Sequence, residues 1–256
     1  MRRLASLAGV LLVAGCAGAP GSPFAGGRGR DRPPLPPQAQ PTSVIATELA
    51  FARAAREEGQ WSAYSRFAAP GAKLQQDAVA VDAQGWLRGR ANPAGAERWA
   101  PREAWSSCDG SAVVVVGTSV DQAGDWHRYT RVWERQQDGS FRWAYTLSLP
   151  DPVLTAARRE REAEDAALGE DAIRVEAGNF IRAKVAGCTP PPPSPAPSSN
   201  PFPATGLEGG AGLSKDRTLA WSWADTPGTD SIFVAYSWSG TEWEPVHSEP
   251  AAPRGS

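Results

Sequence analysis

Two segments rich in proline and glycine divide the chain and limit where regular structure can form. The first, residues 17–42, holds seven prolines and five glycines with few large apolar side chains. The second runs from a proline-rich stretch, 188–203, into a glycine-rich stretch, 206–216. Proline breaks helices and central strands and glycine favours turns, so we expect no regular element inside either segment. Globular structure is therefore expected in two blocks, at about 43–187 and 217–247.

Composition admits a folded core and excludes several classes of protein. The 256 residues are 41% hydrophobic and 21% charged, which suits a globular chain. A formal net charge of −2 provides no basic surface for nucleic acid. The chain has two histidines and three cysteines without C-x-x-C spacing, and it lacks the H-E-x-x-H, G-x-G-x-x-G and Walker motifs. We therefore expect no metal and no nucleotide or other cofactor.

The N-terminus has the features of an export signal. Arg2 and Arg3 precede an apolar stretch, 4–14, and no apolar run of the chain reaches the roughly 18 residues that span a membrane. The run VAGC at residues 13–16 resembles the bacterial lipobox, in which a cysteine after small residues is lipidated and becomes the new N-terminus. The resemblance implies that Cys16 carries the lipid. The alternative is an ordinary secretory signal with an incidental cysteine.

A lipid on Cys16 would place the protein in the cell envelope. Acyl chains contribute about 0.8 kcal/mol per buried CH₂, so the chains that the resemblance implies would anchor the protein firmly to a membrane. Ala17 is not the aspartate associated with inner-membrane retention, so in a cell with two membranes the resemblance implies the outer one, facing the periplasm. Because that compartment is oxidising, we expect a disulfide between Cys108 and Cys188. Two buried free thiols are the alternative.

The first block opens with a helix that has a carboxylate on its apolar face. Ser43 is predicted as the N-cap, residues 44–58 favour a helix, and Gly59 follows as the C-terminal glycine. At about 100° per residue, Glu48 lies at the centre of the apolar face. That face is formed by Val44, Ile45, Phe51, Ala52 and Ala55. A short second helix over residues 61–68 is expected to pack on the same core.

Three antiparallel strands are predicted next. Residues 111–120 are apolar and β-branched, as in a strand buried on both faces, and residues 125–135 and 140–149 are joined by a turn. One face of the second strand carries His127, Tyr129, Arg131 and Trp133. One face of the third carries Phe141, Trp143, Tyr145, Leu147 and Leu149. Two helices followed by a meander of long strands predict an α+β fold.

Beyond residue 150 the pattern changes. Residues 154–171 predict a charged, solvent-facing helix, and residues 172–187 predict a strand or hairpin. Three short strands are expected over residues 217–249, and they carry Trp221, Trp223, Trp238 and Trp243. Seven of the chain's eleven tryptophans lie on predicted strands, where bulky rings pack well on a pleated surface. The tryptophans therefore favour a sheet core over a ligand cage.

Four motifs stand out in the first block: the ELAFA helix that starts at Glu48, Gly59 before an aromatic helix, the SCDG turn at 107–110, and the hairpin at 129–143. With these motifs, residues 43–149 resemble the nuclear-transport-factor-2-like superfamily, in particular its small bacterial branch related to polyketide-cyclase-like domains. The resemblance implies a cone, in which a curved antiparallel sheet wraps over the N-terminal helices around a ligand-sized cavity. It also implies a homodimer through the open sheet face.

The predictions together divide the chain into seven parts. Whether the C-terminal β-rich extension lengthens the sheet, caps the cavity or forms a second domain is open. The parts are a lipoprotein signal peptide (1–15), a tether (16–42), the nuclear-transport-factor-2-like domain (43–150), a helix and strand extension (151–187), a Pro/Gly-rich loop (188–216), a Trp-rich β-meander (217–249) and a loose tail (250–256).

The residues admit three functions. Isomerases built on such folds need a carboxylate base and acidic donors that stabilise an oxyanion. Glu48 is the candidate base, and the pocket candidates are Glu48, His127, Tyr129, Trp143 and Tyr145. No second acidic donor occupies a matched position, so the sequence favours a non-catalytic module that binds a small apolar ligand or a partner.

Two alternatives stay open beside that module. One is a small isomerase, cyclase or hydrolase that uses Glu48. The other is an envelope assembly protein whose tryptophan-rich C-terminal strands form an interaction face. For Glu48 itself, the competing interpretation is structural, with the carboxylate bonded to a Trp N–H, an Arg or backbone donors.

Overall fold

The structure is a computed structural model that describes residues 39–76, 79–167, 180–189, 208–225 and 232–249. Its helices are α1 (Pro41–Glu58), α2 (Gln60–Phe67), α3 (Ala83–Leu87) and α4 (Pro152–Ala167). Its strands are β1 (Ala68–Gln76), β2 (Val79–Asp82), β3 (Arg98–Ser106), β4 (Ala112–Val120), β5 (Trp126–Arg135), β6 (Phe141–Pro150), β7 (Arg182–Val185), β8 (Glu208–Leu213), β9 (Leu219–Asp225), β10 (Ile232–Trp238) and β11 (Trp243–Glu249). The predicted α+β class is confirmed.

A curved seven-stranded sheet lies at the centre, in the order β2-β1-β6-β5-β4-β3-β7. Strands β3 to β6 form an antiparallel meander that includes the three predicted strands. Strand β1 runs parallel to β6, and β7 runs parallel to β3. The sheet is therefore mixed rather than wholly antiparallel, and the chain between β1 and β6 and between β3 and β7 is long enough for parallel pairing.

Helices α1 and α2 bury side chains against one face of this sheet. Helix α1 begins at Pro41, ahead of the predicted cap Ser43, since proline fits the first helical turn where the N–H has no partner in the helix. Ser43 instead lies inside the helix, where its carbonyl accepts a hydrogen bond from the Thr47 hydroxyl at 3.0 Å. Gly59 ends α1 with φ of 100°, a conformation that favours glycine.

The core under the helices is aromatic and alanine-rich. Phe51, at the centre of α1, has its ring centroid 4.9 Å from those of Tyr64 and Trp99 and 5.9 Å from that of Trp133. Small alanines on α1 let the helix approach these rings. The largest fully or nearly buried side chains on this face include Val44, Phe51, Tyr64, Leu74, Trp99, Val113, Val115, Tyr129, Trp133 and Trp143.

The other face of the seven-stranded sheet is covered by a second sheet, in the order β11-β10-β9-β8. The extension therefore both lengthens the first sheet, through β7, and adds a layer of its own. The side chains buried between the two sheets are Trp105, Ala112, Val114, Val132, Tyr145, Leu147, Leu219, Trp221, Phe233 and Ala235. Helices, first sheet and second sheet thus form three layers around two cores.

The prediction of an irregular loop over 206–216 is wrong in its centre, because Glu208–Leu213 forms strand β8. Strand β8 pairs antiparallel with β9, with Gly210 opposite Trp223 and Gly212 opposite Trp221. A Cβ atom on Gly212 would lie 2.1 Å from the Trp221 ring, and one on Gly210 would lie 2.3 Å from the Trp223 ring. The glycines are therefore needed where two tryptophan rings lie across the edge strand, and the rings supply the packing that glycine lacks.

Strands β1, β2 and β3 have no counterpart among the predicted elements. Proline in a sequence argues against a central strand, and Pro70 lies in β1 and Pro101 in β3. Both pairings shift register beside these prolines, between Ala68 and Lys73 in β1 and between Pro101 and Glu103 in β3. The bulges accommodate residues that cannot donate to the ladder.

A bulge also divides strand β6 between the two cores. Val132 pairs with Tyr145 but Trp133 pairs with Trp143, so one extra residue of β6 is inserted at this point. Trp143 therefore belongs to the helix-side core, whereas Tyr145 faces the second sheet and stacks on Trp223 at 4.7 Å. The prediction that both side chains share one face is wrong for this reason.

The predicted disulfide is present, between Cys108 and Cys188. Cys108 lies in the turn before β4, and its N–H donates to Thr218 Oγ1 at 2.8 Å. The next residue, Asp109, donates its N–H to Asp216 Oδ2 at 2.7 Å. The disulfide therefore cross-links the end of the first sheet at the point where turns of the two sheets meet.

Several predictions lie outside the described residues, namely the signal peptide, Cys16, the tether up to residue 38, residues 168–179, residues 190–207 of the predicted Pro/Gly-rich loop and the tail 250–256. The charged helix predicted from residue 154 is observed as α4, with only Thr155 buried. Among the residues that can be placed, no helix combines the length and the apolar character needed to cross a membrane.

Candidate functional site

Strand β5 directs three large side chains toward the helices. Tyr129 and Trp133 lie in the helix-side core with Arg131 between them, whereas Val132 lies in the core against the second sheet. Arg131 is only 1% exposed, and Thr130 on the opposite face is fully buried. The strict alternation of a strand thus brings a buried arginine to the same interior as the apolar face of α1.

Glu48 is bound from two directions in this interior. Its Oε1 accepts a hydrogen bond from Arg131 Nη1, and its Oε2 accepts one from Trp133 Nε1 at 2.6 Å. The Arg131 guanidinium also donates to the Tyr64 hydroxyl at 3.2 Å and lies 4.6 Å from the centroid of the Phe51 ring. Because Glu48 is fully buried, its two partners hold both of its oxygens away from solvent. These contacts correspond to the structural interpretation of Glu48, in which the carboxylate is bonded to an arginine and to a Trp N–H.

A small polar cavity lies beside Arg131. Its volume is about 10 Å³, room for one water molecule. We refer to it as the polar cavity; it is lined by Tyr64, Glu97, Trp99, Ser119, Tyr129, Arg131, Thr146 and Ser148. Four buried polar atoms of these residues have no hydrogen-bond partner in the described part of the chain, namely Trp99 Nε1, Ser119 Oγ, Tyr129 Oη and Arg131 Nε.

Both tyrosines of the polar cavity are held in the protonated form. Burial raises the pKa of Tyr64 to about 12. Burial, and then the negative charge of Glu48, raise the pKa of Tyr129 well above its usual value. The Tyr129 hydroxyl is close enough to Glu48 for its pKa to respond to that carboxylate, although the two groups do not meet with hydrogen-bond geometry.

A wider groove adjoins the polar cavity and shares Glu97 with it. The groove has a volume of about 280 Å³ and opens to solvent. We refer to it as the mouth groove; it is lined by Gln60, Trp61, Pro93, Gly95, Glu97, Asp121, Gln122 and Ala123. Trp61 is braced edge-on by Trp86 and Tyr64, with ring centroids 5.1 and 5.4 Å away. The groove thus combines an indole with two carboxylates.

His127 lies near the groove but lines neither it nor the polar cavity. Its Nε2 is 3.5 Å from Asp121 Oδ2, a contact that becomes an ion pair when the imidazole is protonated. Burial alone would raise the pKa of Asp121, but hydrogen bonds from the Asp125 N–H and from His127 outweigh it and lower the pKa. Asp121 is therefore held as a carboxylate at the rim of the mouth groove.

The five candidate pocket residues are only partly brought together. Glu48, Tyr129 and Trp143 share the helix-side interior, where Trp143 Nε1 donates to the Tyr64 carbonyl at 3.1 Å. Tyr145 is on the opposite face of the sheet, and its hydroxyl donates to Gln75 Oε1 at 3.1 Å. Of the five predicted residues, only Tyr129 lines the polar cavity.

Sequence reasoning missed the groups that shape the cavity and the groove. Arg131 lies on the predicted face, next to Tyr129 and Trp133, and an arginine in a run of buried aromatic residues is the signal for a buried partner. Trp99 and Glu97 carry no such signal, because Trp99 lies near the start of β3, a strand that Pro101 obscures, and Glu97 immediately precedes that strand.

In the ranges that the structure describes, no three His, Cys, Asp or Glu side chains are grouped so as to hold a metal ion.

No family model matches the chain, and no curated protein sequence is significantly similar to it. The likeness to nuclear-transport-factor-2-like domains therefore rests on the sequence motifs alone.

Proposed function

We propose that the chain is a lipoprotein of the bacterial cell envelope, anchored through Cys16, whose nuclear-transport-factor-2-like domain binds a small molecule without transforming it. One observation carries the binding role: the mouth groove adjoins buried hydrogen-bonding atoms of the polar cavity that have no protein partner. A buried donor without a partner costs about 1–3 kcal/mol, a cost that a binding site recovers when its ligand arrives.

The contacts of Glu48 weigh against the alternative of a small isomerase, cyclase or hydrolase. A general base must be within reach of the proton that it removes. Both oxygens of Glu48 accept hydrogen bonds from Arg131 and Trp133, and aromatic rings fill the interior around them. We therefore assign Glu48 to the support of the domain and place the ligand in the mouth groove.

Burial also weighs against envelope assembly through the C-terminal tryptophans. Trp221 and Trp238 are 4% and 3% exposed, and Trp223 packs against the core between the sheets. The same second sheet covers the face through which the resemblance implies a homodimer. The inward packing of these three tryptophans supports binding at the mouth groove over the other two roles.

Binding is tested by titrating the purified mature domain with four probes: cellobiose, spermidine, decanoate and dialanine. Binding of one of them should perturb the amide resonances of Gln60, Glu97 and Gln122. Ala123→Trp, which fills the mouth groove, should abolish the perturbation, whereas the same change at Ala156, on the exposed side of α4, should leave it intact. Probe-induced shifts confined to other surfaces would overturn the proposal.

Anchoring is tested with the full chain expressed in a bacterium that has two membranes. We expect the wild-type protein to incorporate labelled palmitate and to sediment with outer membranes. Cys16→Ser should abolish labelling, whereas Cys108→Ser, a cysteine of the disulfide, should not. Equal labelling of wild type and Cys16→Ser would contradict the lipid anchor.

A further inference from the structure

The atoms around the polar cavity differ in what they can offer a ligand. Trp99 Nε1 and Arg131 Nε carry N–H groups that only donate, whereas the Tyr129 and Ser119 hydroxyls can donate or accept. All four atoms are buried, on residues at most 7% exposed, and they lack partners in the described part of the chain. An acceptor oxygen satisfies this set best, and a volume of about 10 Å³ admits one oxygen atom.

The charges beside the cavity determine which acceptor oxygen is suitable. The positive charge of Arg131 is already matched by Glu48. Glu97 lines both the cavity and the groove, and Asp121 adds a second carboxylate to the groove. Like charges repel, so an anionic ligand is disfavoured. The oxygen that enters the cavity is therefore a neutral one, such as a carbonyl oxygen, which accepts two hydrogen bonds and donates none.

The mouth groove constrains the body of the same ligand. Trp61 contributes an apolar ring, while Glu97 and Asp121 can accept hydrogen bonds from hydroxyl or amide N–H groups. A ring with an apolar face and hydroxyls at its edge matches this combination. Its carbonyl must stand away from the ring on a short arm, because only a single atom fits the polar cavity.

We infer that the mouth groove binds a neutral saccharide with N-acetylated amino sugars, an inference that rests on the proposed binding function. The acetamido carbonyl enters the polar cavity and accepts from Trp99 Nε1 and Arg131 Nε. The sugar ring lies against Trp61, and its hydroxyls donate to Glu97 and Asp121.

The test compares three disaccharides that differ only at carbon 2: di-N-acetylchitobiose, cellobiose and the glucosamine dimer. Each is titrated into the mature domain and followed by calorimetry and by the indole N–H resonances. We expect di-N-acetylchitobiose to bind at least tenfold more tightly than the other two. The Trp99 indole N–H signal should move on binding, whereas that of Trp133, already bonded to Glu48, should stay in place.

Matched variants separate the cavity from the rest of the protein. Trp99→Phe removes one proposed N–H donor to the acetamido carbonyl and should weaken di-N-acetylchitobiose binding about two- to tenfold, the range of a single hydrogen bond. Trp243→Phe makes the same change on the second sheet and should leave binding unchanged. Should Trp99→Phe fail to fold, Trp61→Ala at the groove provides the second test, with loss of binding expected.

Two results would overturn the inference and stay distinguishable from failure of the proposed function. Equal affinity for di-N-acetylchitobiose and cellobiose would show that the acetamido group has no place in the site. Binding of spermidine, decanoate or dialanine in the groove, with no response to any saccharide, would overturn the saccharide inference. The proposed binding function would be supported in that case. A groove that responds to no probe in either set would overturn both proposals.

Discussion

The two faces of the seven-stranded sheet are buried in different ways. Under the helices, the interior encloses the Arg131–Glu48 ion pair within a cluster of aromatic rings. Under the second sheet, the centre is apolar, and the ion pairs of Arg128 with Asp151 and Glu249 lie nearer to solvent. The helix side thus contains buried polar atoms to which a ligand can form hydrogen bonds, whereas the other face of the sheet is covered by the second sheet.

Both faces depend on the same strand, because successive residues of β5 point to opposite sides. Thr130 turns to the second sheet, where its hydroxyl lies 2.9 Å from His247 Nε2. Arg131, its neighbour, enters the helix-side core. A change at one residue of β5 should therefore disturb one core and leave the other largely intact.

The largest effect is expected from breaking the buried ion pair. Arg131→Met leaves the Glu48 carboxylate buried beside Trp133 with its cationic partner gone. Removal of one member of a buried pair costs about 3–5 kcal/mol, because the remaining charge is neither solvated nor matched. Chemical unfolding of the mature domain should show a loss of this size.

A double variant distinguishes the charge from the space that arginine fills. Glu48→Gln combined with Arg131→Met removes both charges, and the glutamine oxygen can still accept from Trp133 Nε1. We expect the double variant to be more stable than Arg131→Met alone. A double variant at least as unstable as the sum of its singles would show that the two charges are not coupled.

The next effect comes from two neighbouring valines, one for each core. Val114 and Val115 are both fully buried on β4, Val114 in the core between the sheets and Val115 in the core under the helices. Each change to alanine removes two methyl groups and should lower the unfolding free energy by about 2 kcal/mol. Because the same side-chain change is made at two adjacent residues, the losses of unfolding free energy in the two cores can be compared directly.

The two valine variants should differ in which signals they move. Val115 pairs across the sheet with Arg131, so Val115→Ala should shift the Trp133 indole N–H resonance, whereas Val114→Ala should shift that of Trp221. A single unfolding transition is expected in both, since strands β3 to β6 contribute side chains to both cores. Two separate transitions in Val114→Ala would show instead that the second sheet unfolds on its own.

Helix periodicity predicted the polar centre of the helix-side core but not its partner. A period of 3.6 residues was enough to place Glu48 at the centre of its face. The choice of Arg131 depends on how α1 lies across β5, and the two residues are separated by 83 positions. No local sequence pattern encodes how α1 lies across β5. The sequence therefore predicts only that the partner of Glu48 is a Trp N–H, an Arg or a backbone donor.

The second sheet was less predictable, for a different physical reason. Alternation along β6 implies that Trp143 and Tyr145 share a face, yet the one-residue bulge between them reverses the second half of the strand. Strand β8 resembles a loop in composition because its glycines make room for rings that belong to β9. Both features depend on contacts with a neighbouring strand.

A smaller effect is expected where the second sheet relies on its glycines. Gly212→Ala places a methyl group against the Trp221 ring, and overpacking of this kind should lower the unfolding free energy by about 1 kcal/mol at an edge strand that can shift. Adding Trp221→Leu to Gly212→Ala should remove the clash, so the two changes together should cost less than the sum of the two separate changes. Strict additivity in calorimetric melts would contradict the proposed contact.

The smallest effect is expected at the solvent-exposed ion pairs, and it depends on pH. Burial alone would raise the pKa of Asp151, but hydrogen bonds from the Leu154 N–H and from Arg128 outweigh it and lower the pKa. The carboxylate therefore stabilises the fold at pH values above its unfolded pKa, and the contribution is lost as the pH falls through the lowered value. At pH 7, Asp151→Asn should cost about 0.5 kcal/mol, because partly exposed pairs contribute little.

The pH dependence itself shows whether Asp151 acts through its charge. Denaturant unfolding at pH 7 should separate wild type from Asp151→Asn, and the difference should narrow as the pH falls through the lowered pKa of Asp151, because the protonated carboxyl group no longer carries a charge. Glu162→Gln removes the same charge from the exposed side of α4 and should leave stability near the wild-type value at pH 7 and at pH 2. A gap between wild type and Asp151→Asn that is as wide at pH 2 as at pH 7 would mean that the asparagine disturbs packing at the start of α4 and that the ion pair of Asp151 with Arg128 adds no stability.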